Sequence, residues 1–208
     1  MLTTTPPLEP PPTQPKSIRP FIRESIGMLL RAIGLYLILT LLIGRFEIQQ
    51  ISMEPTLHEG QRVVISQWDR LLASLRTGVA HAAGPETNTA EIAPYARGQV
   101  VVLYPNATHE GIPLIKRVIA APGDTLMREN DQVFVNGAPL VEPYVHGAPT
   151  ACWQYCGAMT LASGQYFVMG DNRVNSLDSR SFGPVNEQDI LGHVLLRYWP
   201  LNTLAVFP

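Results

Sequence analysis

The pattern of apolar and polar positions changes texture three times along the chain. Residues 1–20 set Thr, Glu and Gln between closely spaced prolines and show no apolar period. A stretch with so little to bury is expected to be a disordered tail, partly polyproline II, running to residue 23. It lacks the small-residue cleavage pattern of a secretory signal. Residues 24–46 then read ESIGMLLRAIGLYLILTLLIGRF. The uncharged part, Ala32–Gly44, would rise only about 20 Å as a helix, short of a hydrocarbon core of about 30 Å. Ile26–Leu30 complete a span if Arg31 snorkels to the headgroups on its long apolar stem. The run ILTLLIG has no polar face to leave in water, so 24–46 is predicted to be one transmembrane helix. Lys16, Arg19, Arg23 and Arg31 lie toward its N-terminal end. The positive-inside rule then places the N-terminus in the cytoplasm and residues 47–208 on the extracytoplasmic side.

Past Glu47 short β-branched runs recur between turn signals: RVVIS (62–66), QVVVLY (99–104), LIKRVIA (114–120), DQVFV (131–135), QYFVM (165–169) and GHVLLRYW (192–199). Asn136-Gly137, between VFV and APLV, is a strong hairpin signal. This texture predicts a mainly β domain over 47–208, a coiled antiparallel sheet or barrel-like fold. Only WDRLLASLR (68–76) reads as helix, and Gly78–Ala96, rich in Ala, Thr and Pro, reads as a surface loop.

Composition narrows the chemistry. The chain is 46% hydrophobic and 15% charged, against about 25% charged for an average soluble domain. The apolar segment accounts for the mean hydropathy of +0.07. A net charge of −2 gives no basic stripe for nucleic acid. Two cysteines are too few for a disulfide scaffold or a Cys-only zinc site. His58, His81, His109, His146 and His193 fall into no metal-ligand spacing, and the glycine patterns of phosphate loops and of α/β-hydrolases are absent. Residues 171–178 resemble a calcium loop only faintly: Arg173 stands at a ligand position and the turn glycine is missing. Asn106-Ala107-Thr108 is a glycosylation sequon with meaning only in a eukaryotic secretory setting. No metal or organic cofactor is implied.

Three segments carry more polar and glycine punctuation than a core requires: residues 51–57, 115–124 and 169–184. Strand alternation in LIKRVIA puts Lys116 on the face opposite Ile115 and Arg117. Lys116 is either an edge-strand lysine in solvent or a buried amine. Burial disfavours its charged form, and a neutral lysine is a competent general base. Ser52 is either an ordinary turn serine or a nucleophile, and no His–Asp pair is placed to activate it. A serine–lysine arrangement needs only one amine.

Together these segments resemble type I signal peptidases, membrane-bound serine peptidases that remove signal sequences from exported proteins. SMEPTL at 52–57 resembles the family's nucleophile box, GQVVVLYP at 98–105 its next strand, IKRVIAAPGD at 115–124 its lysine box, and GDNRVNSLDSRSFGPV at 170–185 its third long box. The order and spacing match, and the likeness covers roughly residues 24–200. The resemblance implies Ser52 as nucleophile and Lys116 as general base, with Ser176 orienting the amine. It implies an Asp178–Arg180 ion pair beneath the site with Arg117 close to it, and a tight turn at Gly170-Asp171-Asn172 that lets the third box reach the lysine. Many relatives place a small hydroxyl residue two positions before the nucleophile as an oxyanion donor. Here that position is Gln50, whose side chain, or the backbone alone, would serve.

The resemblance also implies an extended substrate strand cut after small residues in an Ala-x-Ala pattern. Ile48, Met53, Leu57, Leu114 and Ile115 would line shallow apolar pockets, or else be ordinary core. Preproteins bearing signal peptides, the lipid bilayer and proximity to an export channel are the implied partners, at a cell membrane. Cys152 and Cys156, on the oxidising side, are then candidates for a disulfide, with two free thiols the alternative. Trp153, Tyr155, Phe134 and Phe167 suit either an apolar surface near the bilayer or a β core. Three other readings compete: a self-cleaving serine–lysine repressor, a processing peptidase with a narrow substrate range, and an inactive membrane-tethered binding module.

Overall fold

The computed structural model describes residues 19–69, 93–105, 108–146, 149–151, 154–155 and 157–208. The chain divides into two compact units, Met1–Leu39 and Thr40–Pro208. Cys152, Trp153, Cys156 and most of the 68–76 segment lie outside the described residues, as does the 1–18 part of the predicted tail. Trp68 and Asp69 are helical.

Helix α1 spans Arg19–Leu42. It begins within the predicted tail and stops short of residue 46, because Ile43–Glu47 form strand β1 and pair antiparallel with β2, Arg62–Ser66. That ending trims the uncharged part of the helix to Ala32–Leu42, a rise of about 16 Å against a core of about 30 Å. No helix among the described residues is long and apolar enough to cross a membrane. The large apolar side chains of α1, including Met28, Leu30, Leu35 and Tyr36, are nonetheless exposed.

The second unit is mainly β, and its pairings are antiparallel. The remaining strands are β3 (Val100–Leu103), β4 (Leu114–Ala120), β5 (Thr125–Glu129), β6 (Gln132–Val135), β7 (Ala138–Pro139), β8 (Met159–Thr160), β9 (Gln165–Met169), β10 (Val185–Asn186), β11 (Ile190–Trp199) and β12 (Ala205–Val206). The large sheet runs β1-β2-β11-β3-β4-β9-β10, with β12 added on β11, and the small sheet runs β7-β6-β5-β8. The path of the large sheet is open from β1 to β10, so it is a coiled sheet rather than a closed barrel. Register shifts in β11 and between β4 and β9 interrupt the ladder where the sheet bends. Asn136 and Gly137 both have positive φ, as the predicted hairpin between β6 and β7 requires.

Both faces of β3 are buried. Val100 and Val102 join a cluster with Ile48, Met53, Leu57 and Ile115, while Val101 and Leu103 join one with Val118, Tyr166 and Val168. A third cluster, of Ile119, Leu126, Val133, Val135, Phe167 and Met169, joins the small sheet to β4 and β9. Strand β4 lies between these clusters with all of its residues buried. Its continuous apolar run is the pattern of a strand covered on both sides, and Lys116 stands in its middle.

Candidate active site

Each reactive side chain is fixed by a different element. Ser52 sits in the turn after Ile48, and that turn is anchored by Met53 and Leu57, both fully buried in the first cluster. Lys116 stands on β4 opposite Val101, with Arg117 opposite Val100. The two chemistries meet: Lys116 Nζ donates to Ser52 Oγ at 2.7 Å and to the Ile115 carbonyl at 3.1 Å. Lys116 is 0% exposed and Ser52 3%. Burial pushes the lysine pKa down from 10.5 to about 8; Asp178 pulls it up, Arg180 lowers it further and Asp171 raises it. A 2.7 Å hydrogen bond to an amine of depressed basicity is the geometry of proton transfer from a serine hydroxyl.

The third long segment closes over this pair. Asn172 N–H donates to the Ser52 carbonyl at 3.0 Å, and the Asn172 side chain donates to the Ile51 carbonyl at 3.2 Å. Gly170 packs so tightly that a Cβ there would collide with the Ser52 carbonyl and the Ser176 hydroxyl. Only glycine permits that approach. Ser176 is brought to the site and is buried, but among the described contacts its Oγ is not a partner of Lys116 Nζ.

Asp178 and Arg180 form a fully buried, two-pronged ion pair at 2.9 Å and 2.9 Å. Burial pushes the Asp178 carboxyl up, but bonds from Arg180, its charge, the Gly170 N–H and Ser176 outweigh this and hold it below the ordinary carboxylate range. Arg117 is engaged elsewhere. It forks onto Asp171 at 2.8 Å and 2.6 Å, and Asp171 also accepts from Thr56 Oγ1 at 2.5 Å. Asp171 thereby ties the nucleophile box, the lysine box and the third box together.

Of the five residues expected in substrate pockets, Ile48 and Ile115 line a shallow surface groove with Phe46, Glu47, Gln49, Gln50, Val102, Ile112 and Pro113. Met53 and Leu57 are core, and Leu114 is buried away from the groove lining. Phe167 is likewise core, whereas Tyr155 is exposed. Gln50 borders the groove two residues before Ser52. Three of the described histidines are engaged away from the pair: His58 bonds Glu54, His109 bonds Asp189 and His193 bonds Asp69; His81 lies outside the described residues.

Sequence reasoning missed Glu142, Tyr144 and the role of Arg173. Arg173 is buried and donates to Glu142 and Thr150, and Tyr144 lies over Arg117. Arg173 sits inside a quoted motif, but its partners lie in the aperiodic stretch LVEPYV, which carries no sequence signal.

The signal peptidase family, peptidase S26, matches residues 22–199. The chain is 32% identical to signal peptidase I of Leptolyngbya laminosa over 97% of this chain and 91% of that protein. It is 35% identical to a probable signal peptidase I-1 of Synechocystis sp. over 88% of this chain and 85% of that protein. A solved signal peptidase I from Enterococcus faecalis V583 is 27% identical with a TM-score of 0.40, covering 48% of this chain and 95% of that one.

Proposed function

The chain belongs to the type I signal peptidase family, peptidase S26, proteases that remove signal peptides from preproteins, and from that premise we propose that it cuts them with Ser52 as nucleophile and Lys116 as general base. The observation that carries this reading is the buried 2.7 Å contact between Lys116 Nζ and Ser52 Oγ.

In the proposed sequence neutral Lys116 takes the Ser52 hydroxyl proton as Oγ bonds to the scissile carbonyl carbon. The tetrahedral oxyanion is met by the Ser52 N–H and the Gln50 carboxamide. Lys116 then protonates the leaving amine as the C–N bond breaks, which leaves an ester on Ser52. Water, deprotonated by the same amine, hydrolyses the ester and releases the signal peptide with a new carboxylate. Asp171, Arg117, Asp178 and Arg180 hold the loops that carry these groups, and Ser176 packs beside them.

The groove lined by Ile48, Gln50 and Ile115 suits an extended peptide. Strand β4 pairs with β9 only from Arg117 onward, so its Leu114–Lys116 edge is open on that side to a substrate strand. The groove is shallow, with Ile48, Val102 and Ile115 in its lining, which suits small side chains and excludes large ones by overlap. This supports an Ala-x-Ala preference. Helix α1 exposes apolar side chains in a way that suits lipid. We read it as a single-pass anchor in the cell membrane, with Arg31 snorkelling, the N-terminus cytoplasmic and the peptidase unit outside.

The test is cleavage of a precursor carrying Ala-x-Ala, in detergent or lipid, by wild type, Ser52→Ala and Lys116→Ala, with the cut read by product mass. Cleavage after the second alanine by wild type alone is the expected result. Cleavage by all three would remove Ser52 and Lys116 from the mechanism.

A further inference from the structure

We propose that Glu142 and Tyr144, on the connection between β7 and β8, are positioning residues for the Ser52–Lys116 pair. This inference rests on the dyad reading above and adds residues that no motif of the chain contains.

The Gly170–Arg173 turn fixes the nucleophile loop, because Asn172 N–H holds the Ser52 carbonyl and Asp171 holds Thr56. Two arginines grip that turn in their own right. Arg173 turns back to donate through Nε to the Gly170 carbonyl at 3.1 Å, and Arg117 forks onto Asp171. Both guanidinium groups are buried or nearly so, and each must be met by something beyond the turn itself. The β7–β8 connection meets both. The Glu142 carboxylate accepts from Arg173 NH1 at 3.0 Å and from Arg173 NH2. The Tyr144 ring covers Arg117 with the guanidinium carbon 4.1 Å from its centroid. Tyr144 OH then donates to Glu142 Oε1 at 3.0 Å, so the two grips are bonded to each other. Burial, reinforced by the Glu142 charge and hydrogen bond, raises the Tyr144 pKa, which keeps that hydroxyl a donor.

The result is one strap, two residues apart in sequence, that fixes the arginines on either side of the turn touching Ser52. None of these groups reaches the reacting atoms. Their effect passes through the position of the Ser52 loop relative to Lys116 Nζ, and a shift of about 1 Å at a reacting centre costs on the order of 100-fold in rate.

The experiment uses the full chain in detergent, with an Ala-x-Ala peptide as substrate. The variants are Tyr144→Phe, Tyr144→Leu and Glu142→Gln, and rates are normalised to folded molecules by thermal-melt amplitude. Tyr144→Leu and Glu142→Gln should lower kcat roughly tenfold to 100-fold while KM moves no more than about twofold. Tyr144→Phe, which keeps the ring over Arg117, should restore most of the rate lost in Tyr144→Leu. Wild-type kcat per folded molecule in Tyr144→Leu would overturn the proposal, as would a loss carried by KM. If Glu142→Gln does not fold, the Tyr144 pair decides alone. Failure of the dyad reading shows separately, as full activity in Ser52→Ala.

Discussion

Lys116 occupies a strand position that an aliphatic side chain would fill at no electrostatic cost. Its depression from 10.5 to about 8, caused first by burial, corresponds to about 3 kcal/mol spent on holding the charged amine there. The sign follows from which state holds the proton. Below pH 8 the lysine is charged in both states and the fold bears the full cost. Between pH 8 and 10.5 the folded state sheds the proton first, so stability rises with pH. Lys116→Met should therefore be more stable than wild type by roughly 3 kcal/mol at pH 7, with the difference shrinking as pH rises through that window. Urea titrations at pH 7 and pH 10 check this, and a constant difference would mean that the amine is not desolvated. The same depression sets activity. kcat/KM should climb tenfold per pH unit below about 8 and level off above it. Lys116→Arg should show no turnover, because a guanidinium does not deprotonate.

At the scale of elements, the small sheet docks on the large one through β5, and the alternation of β5 turns Leu126 and Arg128 inward. Arg128 is paired in register with Val133 and lies over the Phe167 ring at 5.1 Å, with NH1 and NH2 buried and without hydrogen-bond partners among the described residues. Burial pulls its pKa down to about 10; Arg180 and Arg173 lower it, and Asp178 works in the opposite direction. A buried, unpartnered donor is a liability, so Arg128→Met, which keeps the stem, should stabilise the protein by on the order of 1–3 kcal/mol. The gain should be equal at pH 6 and pH 8, both below the depressed pKa. A lower melting temperature would mean that contact with Phe167 outweighs the lost solvation. Strand β5 also marks a limit of sequence reading. TLMRE has no β-branched run, and an inward arginine looks like a surface one. Strands β2, β3, β4, β6, β9 and β11 were legible because β-branched, aromatic and other large apolar residues run between turns there. Strand β1 was not, since IGRFE continues the apolar texture of the preceding helix and only pairing with β2 reveals it. Ser52 and Lys116 were legible through their motifs, but the 2.7 Å meeting depends on residues 64 apart in sequence. The Glu142–Tyr144 strap belongs to contacts that exist only after folding.

At the scale of the whole molecule, the two units differ in what covers their apolar side chains. Thr40–Pro208 contains every described strand and all three clusters, so it is expected to fold without Met1–Leu39. The described part of the first unit, by contrast, is a helix whose large apolar side chains lack cover within it. If that helix serves as an anchor, its contribution is effective concentration: enzyme and precursor diffuse in one bilayer, a gain of about 100-fold to 10,000-fold without any new contact at the site. Removing residues 1–39 should then leave kcat/KM on a short soluble Ala-x-Ala peptide within about threefold of the full chain, while cleavage of a vesicle-embedded precursor falls on the order of 100-fold. Equal losses on both substrates would show that the first unit supports the fold of the second. Unchanged cleavage in vesicles would show that α1 is not what brings the enzyme to its substrate. Since the truncation leaves Ser52, Lys116 and the 170–173 turn intact, a loss confined to vesicles can come only from where the enzyme is held.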